Sequence, residues 1–302
     1  MKHSYASTTY IDAADRFDSA CDWLNGLGIR YSTTRVGKYQ RILRHLASCQ
    51  SSGALGEFYS SYPFEVWVNA ALEAAEIVRI HDGLSGDKNL GLVEKIREAI
   101  RGHELYVLDN SDRSGRDFSL ELVTAAKFAS AGYRVDLTGD ADVSVMFGAH
   151  PLYVECKRIK SPAQINKRLK EGVKQLHRRY VACDIPRSAR GILVVSISRL
   201  VNADMGLLEA KDDVELGDKA TYHNMKFIDA HKAIWQHQKM DGRTLGVAVL
   251  LDVPGILLNK NRQLVTCHEI SLNNSVPPSS ENHALLMQIA RKVFAGERPG
   301  GN

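Results

Sequence analysis

The chain has 302 residues, 44% of them hydrophobic and 25% charged, a size and balance that read as soluble and globular with one large domain or two. Its five cysteines form no C-x-x-C pair, which argues against a zinc ribbon or a disulfide framework and fits a reducing, cytoplasmic setting. The net charge is only +4, but residues 151–190 hold 11 Lys/Arg against 3 Asp/Glu, while the rest of the chain holds 28 against 32. That unevenness suits a polyphosphate partner, and a solvated helix face is the plainer alternative.

The first residues, MKHSYASTTYIDAAD, contain no apolar core of a signal peptide. Apolar residues at helical spacing predict helices over 12–27, 36–48, 57–80 and 92–101. Arg35, Lys38, Arg41 and Arg44 fall along one face of the second helix and read as exposed. No repeat and no catalytic motif occurs here, so 1–108 reads as a helical domain for recognition, lid formation or oligomerisation. The polar stretch 110–117, NSDRSGRD, has turn composition and reads as a link between two domains.

A helix is expected over 117–130, with Phe118, Leu122, Ala125, Ala126 and Ala129 as its apolar stripe and Gly132 ending it. Glu121 lies inside it with no cation at i+3 or i+4. Short strands are expected next, over 133–137 and 141–147. In the second of these, Ala141, Val143, Val145 and Phe147 share one face, so Asp142 points away from it; Asp140 belongs to the preceding turn. A turn at 148–151 leads into a strand over 152–158. Side chains alternate along a strand, so Leu152, Val154 and Cys156 face one way and Tyr153, Glu155 and Lys157 the other. If the last two strands form a hairpin, Asp142 lies beside Glu155, and two carboxylates and one ammonium converge. Hard divalent cations take such oxygen ligands, and the set suits metal-assisted phosphodiester hydrolysis.

Ser161 and Pro162 mark the start of the next helix. Ile165, Leu169, Val173, Leu176 and Tyr180 form its core stripe, with Lys167, Arg168, Lys170, Lys174, Arg178 and Arg179 largely off it. GILVVSIS, 191–198, reads as a central strand buried on both faces. The stretch 200–220 reads as an irregular insertion, and its Glu209-x-Lys211 as a chance recurrence of the Glu-x-Lys spacing. A helix is expected over 222–240, strands over 245–251 and 264–270, a last helix over 280–294 and a disordered tail over 297–302. His231 and His237 are six apart, a poor spacing for shared metal binding, and Cys267-His268 has no partner set. LGVAVLLDVPGILL is interrupted by Asp252 and Pro254, so no membrane span is expected.

Asp142 followed by Glu155-Cys156-Lys157 resembles the D-x(n)-E-x-K signature of the PD-(D/E)XK nuclease superfamily, with Ala141 where that family often has proline. The order helix, strand, strand, strand, helix, strand over about 115–198 is similar to the family's αβββαβ core. The resemblance implies an α/β protein with a mixed, restriction-endonuclease-like sheet over 109–296, extended by C-terminal strands and helices and preceded by the helical segment. It implies a Mg²⁺- or Mn²⁺-dependent endodeoxyribonuclease, with RNA left open as a substrate. Asp142, Glu155, the Cys156 backbone carbonyl and Glu121 would hold the metal, and Lys157 would orient the attacking water. Arg158, Lys160, Lys167, Lys170, Lys174, Gln175 and Arg178 would flank the nucleic acid. The alternative is a catalytically inactive nucleic-acid-binding module on the same fold; a third reading makes Glu155 and Lys157 a mere cross-strand charge pair. A homodimer, or a partner protein held by the N-terminal helices, is a further expectation.

Overall fold

The computed structural model describes residues 9–87, 90–108, 115–182, 185–204, 206–236, 242–260 and 263–295. Most of the expected 110–117 link, His237 and the 297–302 tail lie outside the described residues. The N-terminal helices are α1 (Tyr10–Gly26), α2 (Arg35–Ser52), α3 (Leu55–Ser61), α4 (Phe64–Leu84) and α5 (Leu90–Ala99). Local chemistry sets several of their ends. Thr9 and Asp12 form a reciprocal capping box at the start of α1. Thr34 caps α2, and Gly53, at φ 75°, ends it in the left-handed conformation. The helix expected over 57–80 is two helices, because Pro63 has no N–H to continue α3 and instead stands at the N-cap of α4.

Next come α6 (Gly115–Ser130), β1 (Val135–Asp136), β2 (Val143–Phe147), β3 (His150–Arg158), α7 (Ile165–Tyr180) and β4 (Arg190–Ser196). The strand expected over 133–137 shrinks to two residues. Pro162 opens a short 3-10 turn ahead of α7, and Ser161 stands at its N-cap position without making a side-chain cap bond.

The stretch read as an irregular insertion is ordered: α8 (Ser198–Val201), β5 (Leu208–Ala210) and α9 (Asp213–His231). The helix expected from 222 therefore begins at Asp213. Its start signal is present in the sequence, since Asp212 accepts from the Glu215 N–H and the Glu215 carboxylate accepts from the Lys211 N–H at 2.7 Å. Glu209, expected to lie outside any strand, is the exposed middle residue of β5. The chain closes with β6 (Thr244–Leu257), β7 (Gln263–Asn274) and α10 (Glu281–Ile289), the last running into a π-helical turn over Ala290–Phe294.

The seven strands among the described residues form one mixed sheet in the order β1-β2-β3-β4-β6-β5, with β7 on β6. β3, β4, β6 and β5 pair in parallel; β1, β2 and β3 pair antiparallel, as do β6 and β7. Both β6 and β7 are about twice the expected length. Pro254 is tolerated within β6 because of where it falls. One edge of β6 pairs with β4 up to Leu250 and with β5 from Gly255, so 251–254 face no strand there. The Asp252 N–H points to that edge, onto Ser198 Oγ at 2.8 Å, and by the two-residue period Pro254's missing N–H would point the same way.

Helices cover both faces of the sheet. One apolar cluster runs without a break from the N-terminal helices through α6 to Val143, Leu152, Val154, Cys156, Ile192 and Ala248. The other packs Leu169 and Leu176 of α7, and Leu216 and Ile228 of α9, against Leu193, Val195, Val247 and Val249. The near-continuous apolar run of β4 is explained by this three-layer arrangement: both faces of the strand are buried. The four cysteines among the described residues are buried and unbridged. Among the described residues no helix is long and apolar enough to cross a membrane.

Candidate active site

The β2–β3 hairpin builds the site. Its two-residue loop, Gly148-Ala149, lies between the paired residues Phe147 and His150, and Gly148 takes φ 62°, the left-handed region such tight turns need. The turn fixes the register, and the Val143–Val154 pair places Asp142 opposite Glu155 one step further on. The Cys156 N–H donates to Asp142 Oδ2 at 2.7 Å, which locks that alignment.

The Lys157 Nζ lies where three oxygens meet. It donates to the Cys156 carbonyl at 2.9 Å and stands 3.6 Å from Asp142 Oδ2 and 3.7 Å from Glu155 Oε2. Glu155 is almost wholly buried, at 1% exposure. Burial pushes its carboxyl up first and the Asp142 charge adds to that; Lys157 and Arg179 oppose them, and the pKa settles at about 7. Glu121 reaches the cluster from α6. Burial and Asp142 likewise push its carboxyl up to about 7, against the pull of Lys95. Asp140, by contrast, is 93% exposed in its side chain and meets only the outer side of the cluster through Arg179.

The structure thus brings Asp142, Glu155, the Cys156 carbonyl and Lys157 together, while Glu121, expected among the metal ligands, stands outside that set and is joined to it through Lys95. It adds two cations that sequence reasoning did not assign. Lys95 of α5 pairs with Glu121 and donates to the Asp142 carbonyl at 2.9 Å. Arg179, read from the sequence only as part of a basic helix face, turns inward to Glu155 Oε1 at 3.2 Å and also meets the Asp140 carbonyl. Nothing local could have found Lys95, whose partners lie 26 and 47 residues away. Arg179 had one signal: it is the last basic residue before the stripe residue Tyr180, at the edge of the apolar face.

The expected nucleic-acid residues divide into two groups. Lys167, Lys170, Lys174 and Arg178 are exposed on α7, and Gln175 is half-buried, with its Oε1 finding no hydrogen-bond partner among the described residues. Arg158 and Lys160 are not on that face. Arg158 pairs with Glu76 at 2.7 Å and Lys160 with Asp117 at 3.1 Å, both largely buried. Their place at the end of β3 beneath α4 and α6 explains the difference, because Arg158 points to the opposite sheet face from Lys157. Tyr180 is core, as expected, at 3% exposure. A groove of about 1310 Å³ beside the hairpin is lined by Arg134, Tyr153, Arg178 and Arg179, among others.

Gly172 lets α7 close over the site. A Cβ there would collide with Leu193 Cδ1 and lie 3.3 Å from Lys157 Cγ. Gly172→Ala is therefore expected to lose about 1–3 kcal/mol of stability by overpacking, read as a lower urea midpoint, and to shift Lys157. A variant as stable as the wild type would mean that α7 has room to move.

Can these residues hold a divalent cation? The ammonium of Lys157 occupies a point shared by two carboxylate oxygens and a carbonyl oxygen, a donor set of the hard kind that Mg²⁺ and Mn²⁺ prefer. Among the described residues no group of three or more His, Cys, Asp or Glu side chains is arranged as a metal site. The converging set is smaller than that, two side chains and one backbone group, and is compatible with an ion that keeps several waters.

Fold and site together define a mixed α/β protein with a buried carboxylate–lysine cluster on a strand hairpin. No family model matches the chain, and no curated protein matches it.

Proposed function

We propose that the chain is a Mg²⁺- or Mn²⁺-dependent nuclease of the PD-(D/E)XK type that hydrolyses phosphodiester bonds in DNA. The observation that carries the reading is the meeting of Asp142 Oδ2, Glu155 Oε2 and the Cys156 carbonyl around Lys157 Nζ. The element order α6-β1-β2-β3-α7-β4 supports it as well, since it corresponds to the αβββαβ core of restriction-endonuclease-like proteins.

In this reading Asp142, Glu155 and the Cys156 carbonyl hold the metal, with Glu121 behind Asp142. The metal supplies Lewis-acid neutralisation of the phosphoryl oxygens and a more acidic water. Lys157, released from its three oxygens, presents a cationic donor to the attacking water or to charge growing on the phosphate. Lys95 and Arg179 keep Glu121 and Glu155 in place from outside. The exposed Lys167, Lys170, Lys174 and Arg178 offer the α7 face to a phosphate backbone.

A second reading, a catalytically inactive nucleic-acid-binding module, draws on the pairing of every carboxylate in the cluster with a cation: Glu121 with Lys95, Asp142 with Lys157, Glu155 with Lys157 and Arg179. Cleavage of plasmid and oligonucleotide DNA, with Mg²⁺, Mn²⁺ or EDTA, separates the two. The nuclease reading expects metal-dependent cutting by the wild type and none by Lys157→Ala. Salt-sensitive DNA binding by both proteins, with no cutting by either under any metal, would favour the binding module.

A further inference from the structure

The sheet ends, on the side away from the hairpin, in a long strand edge. β7 pairs with β6 along Gln263–Asn274, and among the described residues no strand lies on its outer side. Which backbone groups face outward follows from one bond. The Ser275 N–H donates to the Leu245 carbonyl at 2.9 Å, so the odd-numbered residues of β7 turn their backbone groups to β6. By the two-residue period, Thr266, His268, Ile270 and Leu272 turn theirs outward. The ends of this stretch are marked: the Tyr10 hydroxyl meets the Leu264 backbone, and Gln236 Nε2 donates to the Asn274 carbonyl at 3.0 Å.

Folded proteins guard such edges with lysines, prolines, bulges or short strands. β7 uses none of these devices. Its sequence, QLVTCHEISLNN, has no Lys, Arg or Pro, and its register with β6 runs unbroken from Asn274 to Gln263. Its two faces are covered, Leu264, Ile270 and Leu272 packing on one apolar cluster and Val265 and Cys267 on the other. The edge is what is left. Beside its first residues, Leu264–Thr266, lies a groove of about 380 Å³ with an apolar wall from α2 and α4 that includes Leu43, Leu46, Ala71 and Val78.

A strand edge is completed by another extended backbone, and a two-fold axis makes any antiparallel edge its own complement. We propose that β7 is a dimer interface, pairing antiparallel with β7 of a second copy of this chain about a two-fold axis at Ile270. His268 then lies opposite Leu272 of the second copy, and Glu269 opposite Ser271. An axis at Glu269 would instead set two carboxylates against each other, a destabilising pair. With the axis at Ile270, the second copy's Asn274 lies opposite Thr266. The exposed turn that follows it, Pro277–Ser279, comes to the apolar groove, and the two-fold repeats the contact. The hairpin sites stay open, because β2 and β3 lie beyond β4 and β6 from this edge. The inference therefore holds whether or not the chain cuts DNA.

Sedimentation velocity on a dilution series from about 50 µM downward tests it. The wild type should sediment as a dimer that dissociates on dilution. Ile270→Lys sets two ammoniums beside the axis and should weaken the dimer at least about tenfold. Should that variant fail to fold, Ile270→Cys gives a second reading. Residues directly opposite in a hydrogen-bonded pair stand about 5.5 Å apart at Cα, within disulfide reach. Oxidised glutathione should therefore link Ile270→Cys copies above the background of the wild-type cysteines, and above Thr266→Cys, which faces Asn274 of the second copy. A wild type that stays monomeric throughout, a dimer indifferent to Ile270→Lys, or equal cross-linking at 266 and 270 would overturn the proposal.

Discussion

Glu73→Gln is expected to lose about 3–5 kcal/mol of stability, the scale for removing one partner from a buried ion pair. Glu73 is buried on α4 and holds two guanidiniums that are themselves buried, Arg35 and Arg116. Burial disfavours its charge, yet Arg35 and then Arg116 outweigh that and hold the carboxyl down at about 2. Glutamine keeps the shape and removes the charge. Arg35 would then keep the Ala99 carbonyl, and Arg116 the His103 carbonyl at 2.9 Å, but the negative charge that Glu73 shares with both would be gone.

The pH dependence carries a sign that tests the same point. A carboxyl held below its ordinary value contributes stability above that value and loses it as pH falls. The wild type should therefore lose Glu73's contribution between about pH 4.5 and 2, and Glu73→Gln should lack that component of acid sensitivity. Urea midpoints at about pH 7 and about pH 3.5 measure both. A loss under about 1 kcal/mol at neutral pH would show that the two arginines find other partners and that the network does not close on Glu73.

The second large effect is expected at the hairpin. Glu121 and Glu155 are held up at about 7, above their ordinary 4.5, by burial and by Asp142. The folded chain then keeps protons that the unfolded chain has released. Without a divalent cation, this contribution to stability falls as pH rises from about 4.5 through 7. A cation held by the deprotonated cluster reverses the trend, so Mg²⁺ should stabilise little at about pH 5.5 and increasingly through about pH 7 to 8. At a hundred times its dissociation constant the gain is about 2.7 kcal/mol.

Asp142→Asn removes a proposed ligand and also the charge that helps push the other two carboxyls up. Its Mg²⁺ response should vanish, and its DNA cleavage should fall by more than about a hundredfold, since even outer partners of a metal site cost about 10–100-fold. Melting temperatures on a pH series, with and without Mg²⁺, for both proteins give the answer. A response that is flat with pH, or equal in Asp142→Asn, would sink the proposal that these carboxylates share one cation.

The legible parts of the molecule were those governed by short-range rules. Alternation along 152–158 and the turn at Gly148 were enough to set Asp142 beside Glu155, because a two-residue hairpin leaves little freedom of register. The stripe on α7 was equally direct. Errors came where a local signal competed with another. Pro63 sits inside a good helical period, and the Asp212–Glu215 cap lies in an acidic stretch with no apolar pattern to mark it. The extra length of β6 was hidden by Pro254, whose position matters only once β4 and β5 are known to share one edge. Long-range ion pairs were out of reach altogether. Glu73 carries no mark in the sequence to say that Arg35 and Arg116, 38 and 43 residues away, will close on it.

Lys95 has a consequence for how this protein can be divided. It stands on α5, among the N-terminal helices, yet it holds Glu121 and the Asp142 backbone of the hairpin. The cluster is therefore jointly owned by two stretches of chain. Grafting the segment from residue 109 onward into another scaffold would transplant Glu121 without its countercharge, and the Asp142 carbonyl without the ammonium that donates to it. Any useful dissection has to carry α5 with the sheet, whatever else the other N-terminal helices do.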